Sequence, residues 1–261
     1  MIDWLIYAVI GAFTGLFSGL LGLGGGLIVV PSLMAIFTLQ ALPESQLMHI
    51  AVGTSLMTIT ITSLSSSYAH HKHQHINWSL FIRLVPSLLI GGLLGAYFAT
   101  LFSRSVLQLC FALYVFVVAI RMWLPLLPSG SSQLLNKKIL SVFGLVTGAI
   151  SAIVGIGGGT LIVPYLIMAK QSMQNAIGTS AACGFPIAVA AVIGFIVFGP
   201  AEQELNNPWL VGQIHWQAFL GIISTSIVFS ILGAQLTKTL AVKVLKRVFS
   251  IVLFAVALYL I

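Results

Sequence analysis

Gly22-Leu23-Gly24-Gly25-Gly26-Leu27-Ile28-Val29-Val30-Pro31 decides how this chain reads, because the pattern returns 133 positions later as Gly155-Ile156-Gly157-Gly158-Gly159-Thr160-Leu161-Ile162-Val163-Pro164. Each copy lies inside a long apolar run, where three successive glycines remove side-chain packing and make non-helical backbone cheap. Each is therefore expected to break a helix. In lipid, a break is tolerated only where its freed N–H and C=O groups are buried in protein or line a polar cavity, so two equivalent breaks predict one shared interior site.

The surrounding composition requires a membrane. Of 261 residues, 59% are hydrophobic and 6% charged, with a mean hydropathy of +1.12, far from the usage of soluble domains. Apolar runs of about twenty residues recur throughout, so the chain is read as one membrane domain, 1–261. The net charge of +7 comes from residues scattered at segment ends. That pattern signals topology rather than a nucleic-acid surface. The N-terminus lacks a basic n-region and an Ala-x-Ala-like site, so no cleaved signal peptide is expected. Cys110 and Cys183 sit in separate apolar segments and read as small buried hydrophobes.

Beyond the glycines the second half replays the first. His49-Ile50-Ala51-Val52-Gly53-Thr54-Ser55 matches Gln174-Asn175-Ala176-Ile177-Gly178-Thr179-Ser180, and Trp78 and Gly95-Ala96 match Trp216 and Gly233-Ala234. In the last spans Leu107, Phe111 and Val118-Ala119 match Leu245, Phe249 and Val256-Ala257. Four matched elements in one order predict a tandem duplication, with repeats at 1–124 and 139–261 and a linker at 125–138. Each repeat reads as one glycine-broken segment followed by three transmembrane helices.

Charge relates the halves. If each broken run makes no net crossing, the linker side collects Lys72, Arg83, Arg121, Lys137, Lys138, Lys170, Lys238, Lys243, Lys246 and Arg247. The opposite side keeps Arg104 and all four acids, Asp3, Glu44, Glu202 and Glu204. The positive-inside rule then predicts a cytoplasmic linker, non-cytoplasmic termini and two inverted repeats in an all-α membrane fold.

These motifs together resemble the sulfite exporter TauE/SafE family. The likeness covers the whole chain: the duplicated glycine stretch, the duplicated Gly-Thr-Ser and the eight apolar runs. The resemblance implies secondary transport, or facilitated passage, of sulfite, a sulfonate or a related organosulfur anion across the plasma membrane, with export as the expected direction.

The residues support an anion site on their own terms. Gly24, Gly25, Gly26, Gly157, Gly158 and Gly159 would expose backbone N–H groups at depth, where helix starts carry partial positive charge; simple helix packing is the other reading. Thr54, Ser55, Thr179 and Ser180 either offer hydroxyls to anion oxygens or bond to the local backbone. Asn175 adds an amide donor, and His49 a group able to titrate near neutrality. Arg83, five residues past Trp78, either snorkels to the surface or draws anions into a vestibule.

Other function classes find less support. His70, His71, His73 and His75 fall in what reads as a solvated loop from Tyr68 to Asn77. They raise a cation or metal-ion permease as the alternative, but no Cys, Asp or Glu completes a site. No metal or cofactor is expected. A membrane-embedded enzyme finds no catalytic motif, and no Asp or Glu lies within an expected span. The expected partners are a small anion and the lipid bilayer, without nucleic acid.

Overall fold

In a computed structural model of the chain, described for residues 2–22, 24–123, 135–199, 208–236, 250, 251, 253–258 and 260, nearly all the backbone is helical. The helices are α1 (Ile2–Leu21), α2 (Gly26–Leu39), α3 (Leu47–Lys72), α4 (Trp78–Leu101) and α5 (Arg104–Trp123) in the first half. In the second they are α6 (Lys137–Val154), α7 (Gly159–Met168), α8 (Met173–Phe198) and α9 (Trp216–Leu236). The described residues from 250 to 260 are helical too. Seven helices among the described residues are long and apolar enough to cross a membrane; α2 and α7 are shorter. This is a multi-pass, all-helical membrane protein.

Local chemistry starts several of these helices. The side chain of Asn77 accepts the Leu80 N–H at 3.2 Å, Asn136 accepts from Lys138 at 3.2 Å, and Ser172 accepts from Asn175 at 3.2 Å. Each satisfies a donor that the first helical turn leaves without a carbonyl. By contrast α2 and α7 start on Gly25 and Gly158, left-handed glycines with no side-chain cap.

Packing between the halves is reciprocal. Helix α1 packs chiefly on α9, and its counterpart α6 on α4, while α3 lies against α8. Small residues let the backbones touch. A Cβ on Gly11 would come within 2.1 Å of the Ile222 carbonyl oxygen, and one on Gly15 within 2.4 Å of that of Ser226. On the other side, a Cβ on Gly91 would meet the Leu145 oxygen at 2.2 Å and one on Gly95 the Ala149 oxygen at 2.3 Å. In lipid such close approach supplies the dispersion that holds helices together. The order of these pairs shows that α1 runs parallel to α9, and α4 parallel to α6.

After the first glycine turn α2 returns along α1, and the Gln40 amide donates to the Tyr7 hydroxyl at 3.2 Å. The ends of the bundle differ in charge. Arg104 donates to Glu44 at 3.0 Å at one end, and Asn77 donates to Gln171 at 3.2 Å at the other, beside Lys72 and Lys170. Glu202, Glu204, Lys238, Lys243, Lys246 and Arg247 lie outside the described residues.

Two expectations need correction. Helix α3 continues through Lys72, so His70 and His71 belong to its last turn rather than to a loop; His70 is fully buried. Helix α6 takes the last two positions of the expected linker, beginning at Lys137 because Asn136 caps it. The segment before α9 also contains a short hairpin, Leu210–Val211 paired with Ile214–His215, turning at Gly212 with φ +56°.

Candidate functional site

The two glycine turns meet. A Cβ built on Gly24 would lie 2.9 Å from the Gly157 Cα, and one on Gly157 would lie 3.1 Å from the Gly24 Cα, so main chain rests on main chain. Ile59 packs against both, and Gly184 against Gly157; these residues are close to the middle of the 26-residue helices α3 and α8. Positive φ at Gly24 (+74°), Gly25 (+81°) and Gly158 (+73°) turns the chain sharply enough for each short helix to start at this contact. Gly26 is equally tight, since a Cβ there would be 2.2 Å from the Gly155 oxygen. Gly159 is the buried first residue of α7. All the expected glycines therefore converge on one buried region in which two helix N-termini begin.

The Gly-Thr-Ser residues join that region by binding the opposite half. Thr54 Oγ1 accepts the main-chain N–H of His215 at 2.9 Å, and Thr179 Oγ1 accepts that of Asn77 at 2.9 Å. Ser55 donates to the Gly155 oxygen at 2.8 Å, while Ser180 donates to the Gly22 oxygen at 3.4 Å. All four side chains are fully buried. The preceding glycines permit the approach, because a Cβ on Gly53 or Gly178 would meet the Gln213 or His75 oxygen at 2.4 Å in each case. Each motif thus clasps the chain entering the third long helix of the other half and the carbonyl end of its first.

The residues clasped had not been singled out. Asn77 and His215 immediately precede the matched Trp78 and Trp216. Both cap their helices, since His215 Nδ1 accepts the Ala218 N–H at 3.2 Å. His215 lies in the hairpin, outside the membrane-spanning helices, with its ring 5.0 Å from that of Phe37. Burial pushes its imidazole below the ordinary value, against the opposing influence of its own backbone and of Asp3. The sequence signal was the matched tryptophan pair, each preceded by a residue able to cap.

Other expected residues lie apart. Arg83 is exposed beside Ile82 on α4. Asn175 is half-buried in the capped first turn of α8. His49 is buried with Nε2 3.1 Å from the Phe102 oxygen, near the Arg104 end. Among the described residues, no group of three or more His, Cys, Asp or Glu side chains is arranged to hold a metal ion.

Comparison with known proteins points one way. The family described as "Sulfite exporter TauE/SafE" matches residues 7–260. A "Probable membrane transporter protein" of Haemophilus influenzae is 35% identical over 97% of this chain and 96% of its own length. Another of that description from Xylella fastidiosa is 30% identical over 96% of this chain and 92% of its own. The "Probable membrane transporter protein YunE" of Bacillus subtilis is 25% identical over 99% and 97%, respectively. No solved structure matches the chain.

Proposed function

Because this chain belongs to the sulfite exporter TauE/SafE family and is a membrane transporter, we propose that it moves small sulfur-containing oxyanions, sulfite or a sulfonate, out of the cell across the plasma membrane. It acts as a secondary carrier or facilitator rather than as an enzyme. Residues 1–124 and 137–261 form inverted repeats around a cytoplasmic linker at 125–136, and the termini face away from the cytoplasm. The parallel pairs α1 with α9 and α4 with α6 support this arrangement, since they pair the first helix of one half with the third of the other. The return of Gln40 to Tyr7 supports a broken segment with no net crossing.

One observation carries the substrate reading: Gly24 rests on Gly157 midway along α3 and α8, where two helices start without a side-chain cap. Two partial positive charges then face one depth from opposite directions, and an oxyanion shed of water finds main-chain donors there. Ser55 and Ser180 hold the carbonyl ends of the preceding helices, and Thr54 and Thr179 hold the entrances to α9 and α4, so both glycine turns are fixed from the opposite half. Asn175, His49 and Arg83 belong to the approaches on either side. Flux in proteoliposomes, comparing sulfite, sulfonates, sulfate, Ni²⁺ and Zn²⁺, tests the reading. Sulfite or sulfonate flux supports it; metal flux without anion flux would replace it with a metal permease served by His70, His71, His73 and His75.

A further inference from the structure

His70 is the feature that the anion reading leaves unused. It lies in the last turn of α3, its side chain wholly buried, with Nε2 3.0 Å from the Gly19 carbonyl oxygen of α1. A carbonyl can only accept, so Nε2 carries the hydrogen and the neutral ring keeps its lone pair on Nδ1. That Nδ1 is buried and has no hydrogen-bond partner among the described residues. One helical turn earlier, Ser66 Oγ is likewise buried and without a partner among the described residues, as is Ser226 Oγ on α9, which packs on α3. Buried polar atoms without protein partners call for water or a transferred proton.

We propose that His70 Nδ1 is a proton-binding site that couples proton movement to the transported anion; the coupling rests on the anion reading above, the site itself does not. A proton from water at one membrane face adds to Nδ1, giving an imidazolium, and returns to water at the other face with no redox change. Gly19, to which His70 bonds, is three residues before Gly22, where the turn to the anion region begins. A buried imidazolium is costly alone, and an anion at the glycine contact, eleven residues or about 16 Å back along α3, stabilises it through the low-dielectric interior. The anion and the proton therefore favour each other's binding reciprocally and cross together, so export on this scheme runs down the anion's own outward gradient.

The neighbouring groups are basic and do not offset an imidazolium at His70, so its countercharge must come from the anion. The His75 ring lies 6.0 Å from that of His70, and the His73 ring 5.9 Å from that of His75, so two further imidazoles are near. His71 and Lys72 adjoin it on α3, where the helix C-terminus favours positive charge. Of the elements packed on α3, α2 and α9 contain no titratable residue and α8 only Cys183, while Glu44 of the turn before α3 and His215 of the hairpin lie toward the far end of α3 from His70. Helix α1 brings Asp3 and Tyr7 near its other end; α5 brings Arg104, Cys110, Tyr114 and Arg121, and α6 brings Lys137 and Lys138. No carboxylate of these helices adjoins His70 to hold its proton permanently.

Two measurements test the site. Nitrogen NMR of histidine-labelled wild type in detergent, with the His70 signal identified by its loss in His70→Gln, should show Nε2 protonated and Nδ1 bare at pH 8. Acid should then protonate Nδ1, and methanesulfonate, which does not titrate, should move that step to higher pH. In proteoliposomes a pH gradient should accumulate methanesulfonate with wild type. His70→Gln, which keeps a donor to Gly19 but binds no proton, should still exchange the anion while gradient-driven accumulation falls about tenfold. An Nδ1–H tautomer, an Nδ1 indifferent to pH, or undiminished accumulation in His70→Gln overturns the proposal. If Nδ1 takes up a proton but no anion moves with either protein, the proton site stands and the anion reading falls.

Discussion

Thr54 Oγ1 accepts the main-chain N–H of His215, a residue 161 positions further along the chain, at 2.9 Å. Its counterpart Thr179 accepts that of Asn77 at the same distance. Two buried hydroxyls thereby tie each half of the protein to the entrance of a long helix in the other.

Removing either hydroxyl leaves a buried N–H unsatisfied, which costs about 1–3 kcal/mol. Thr54→Val and Thr179→Val should each lower stability by that amount, whereas Thr54→Ser and Thr179→Ser, which keep the acceptor, should lose less. Thermal unfolding of the detergent-solubilised variants measures this. Wild-type stability in both valine variants would show that the clasps contribute nothing.

The glycine contact should be unequal in its tolerance. Gly24 has φ +74°, and its Cβ would lie 2.9 Å from Gly157; Gly157 has an ordinary φ and slightly more room, at 3.1 Å. Gly24→Ala therefore adds left-handed strain of about 1–2 kcal/mol to the steric conflict and should reduce transport more than Gly157→Ala. Gly25→Leu and Gly158→Leu, both at left-handed positions, should abolish flux while the protein still reaches the membrane. Flux normalised to membrane-inserted protein gives the ranking.

Acid should weaken the protein through His215. Burial holds its imidazole below the ordinary value of 6.5, so the unfolded chain binds the proton more readily than the folded one. Stability is then fully present above that value, declines as pH drops through it, and levels off only when the folded residue also titrates. A proton on Nδ1 would also displace the Ala218 N–H from its cap. His215→Asn, which copies the cap that Asn77 provides for α4, should make the acid loss of melting temperature between pH 7.5 and pH 5 shallower.

Topology gives a fourth expectation. Reporter fusions within 125–136 should score cytoplasmic and fusions after Ile261 non-cytoplasmic. A cytoplasmic C-terminal reporter would contradict the inverted arrangement, whatever the substrate.

The membrane class and the two helix breaks were legible in the amino-acid sequence. They depend on local properties: hydropathy over a span and a run of glycines. Which way each helix faces was not legible. In a soluble protein a polar stripe marks the outer face, but in lipid both faces are apolar and the periodicity loses its contrast. His70 therefore read as part of a solvated loop, although it is buried against Gly19. The Thr54 and Thr179 hydroxyls read as groups for a ligand or for the local helix, although their partners come from the other half. Only the packing of α1 on α9, of α4 on α6 and of α3 on α8 brings those residues together, because side chains more than a hundred positions apart meet only when helix backbones approach closely.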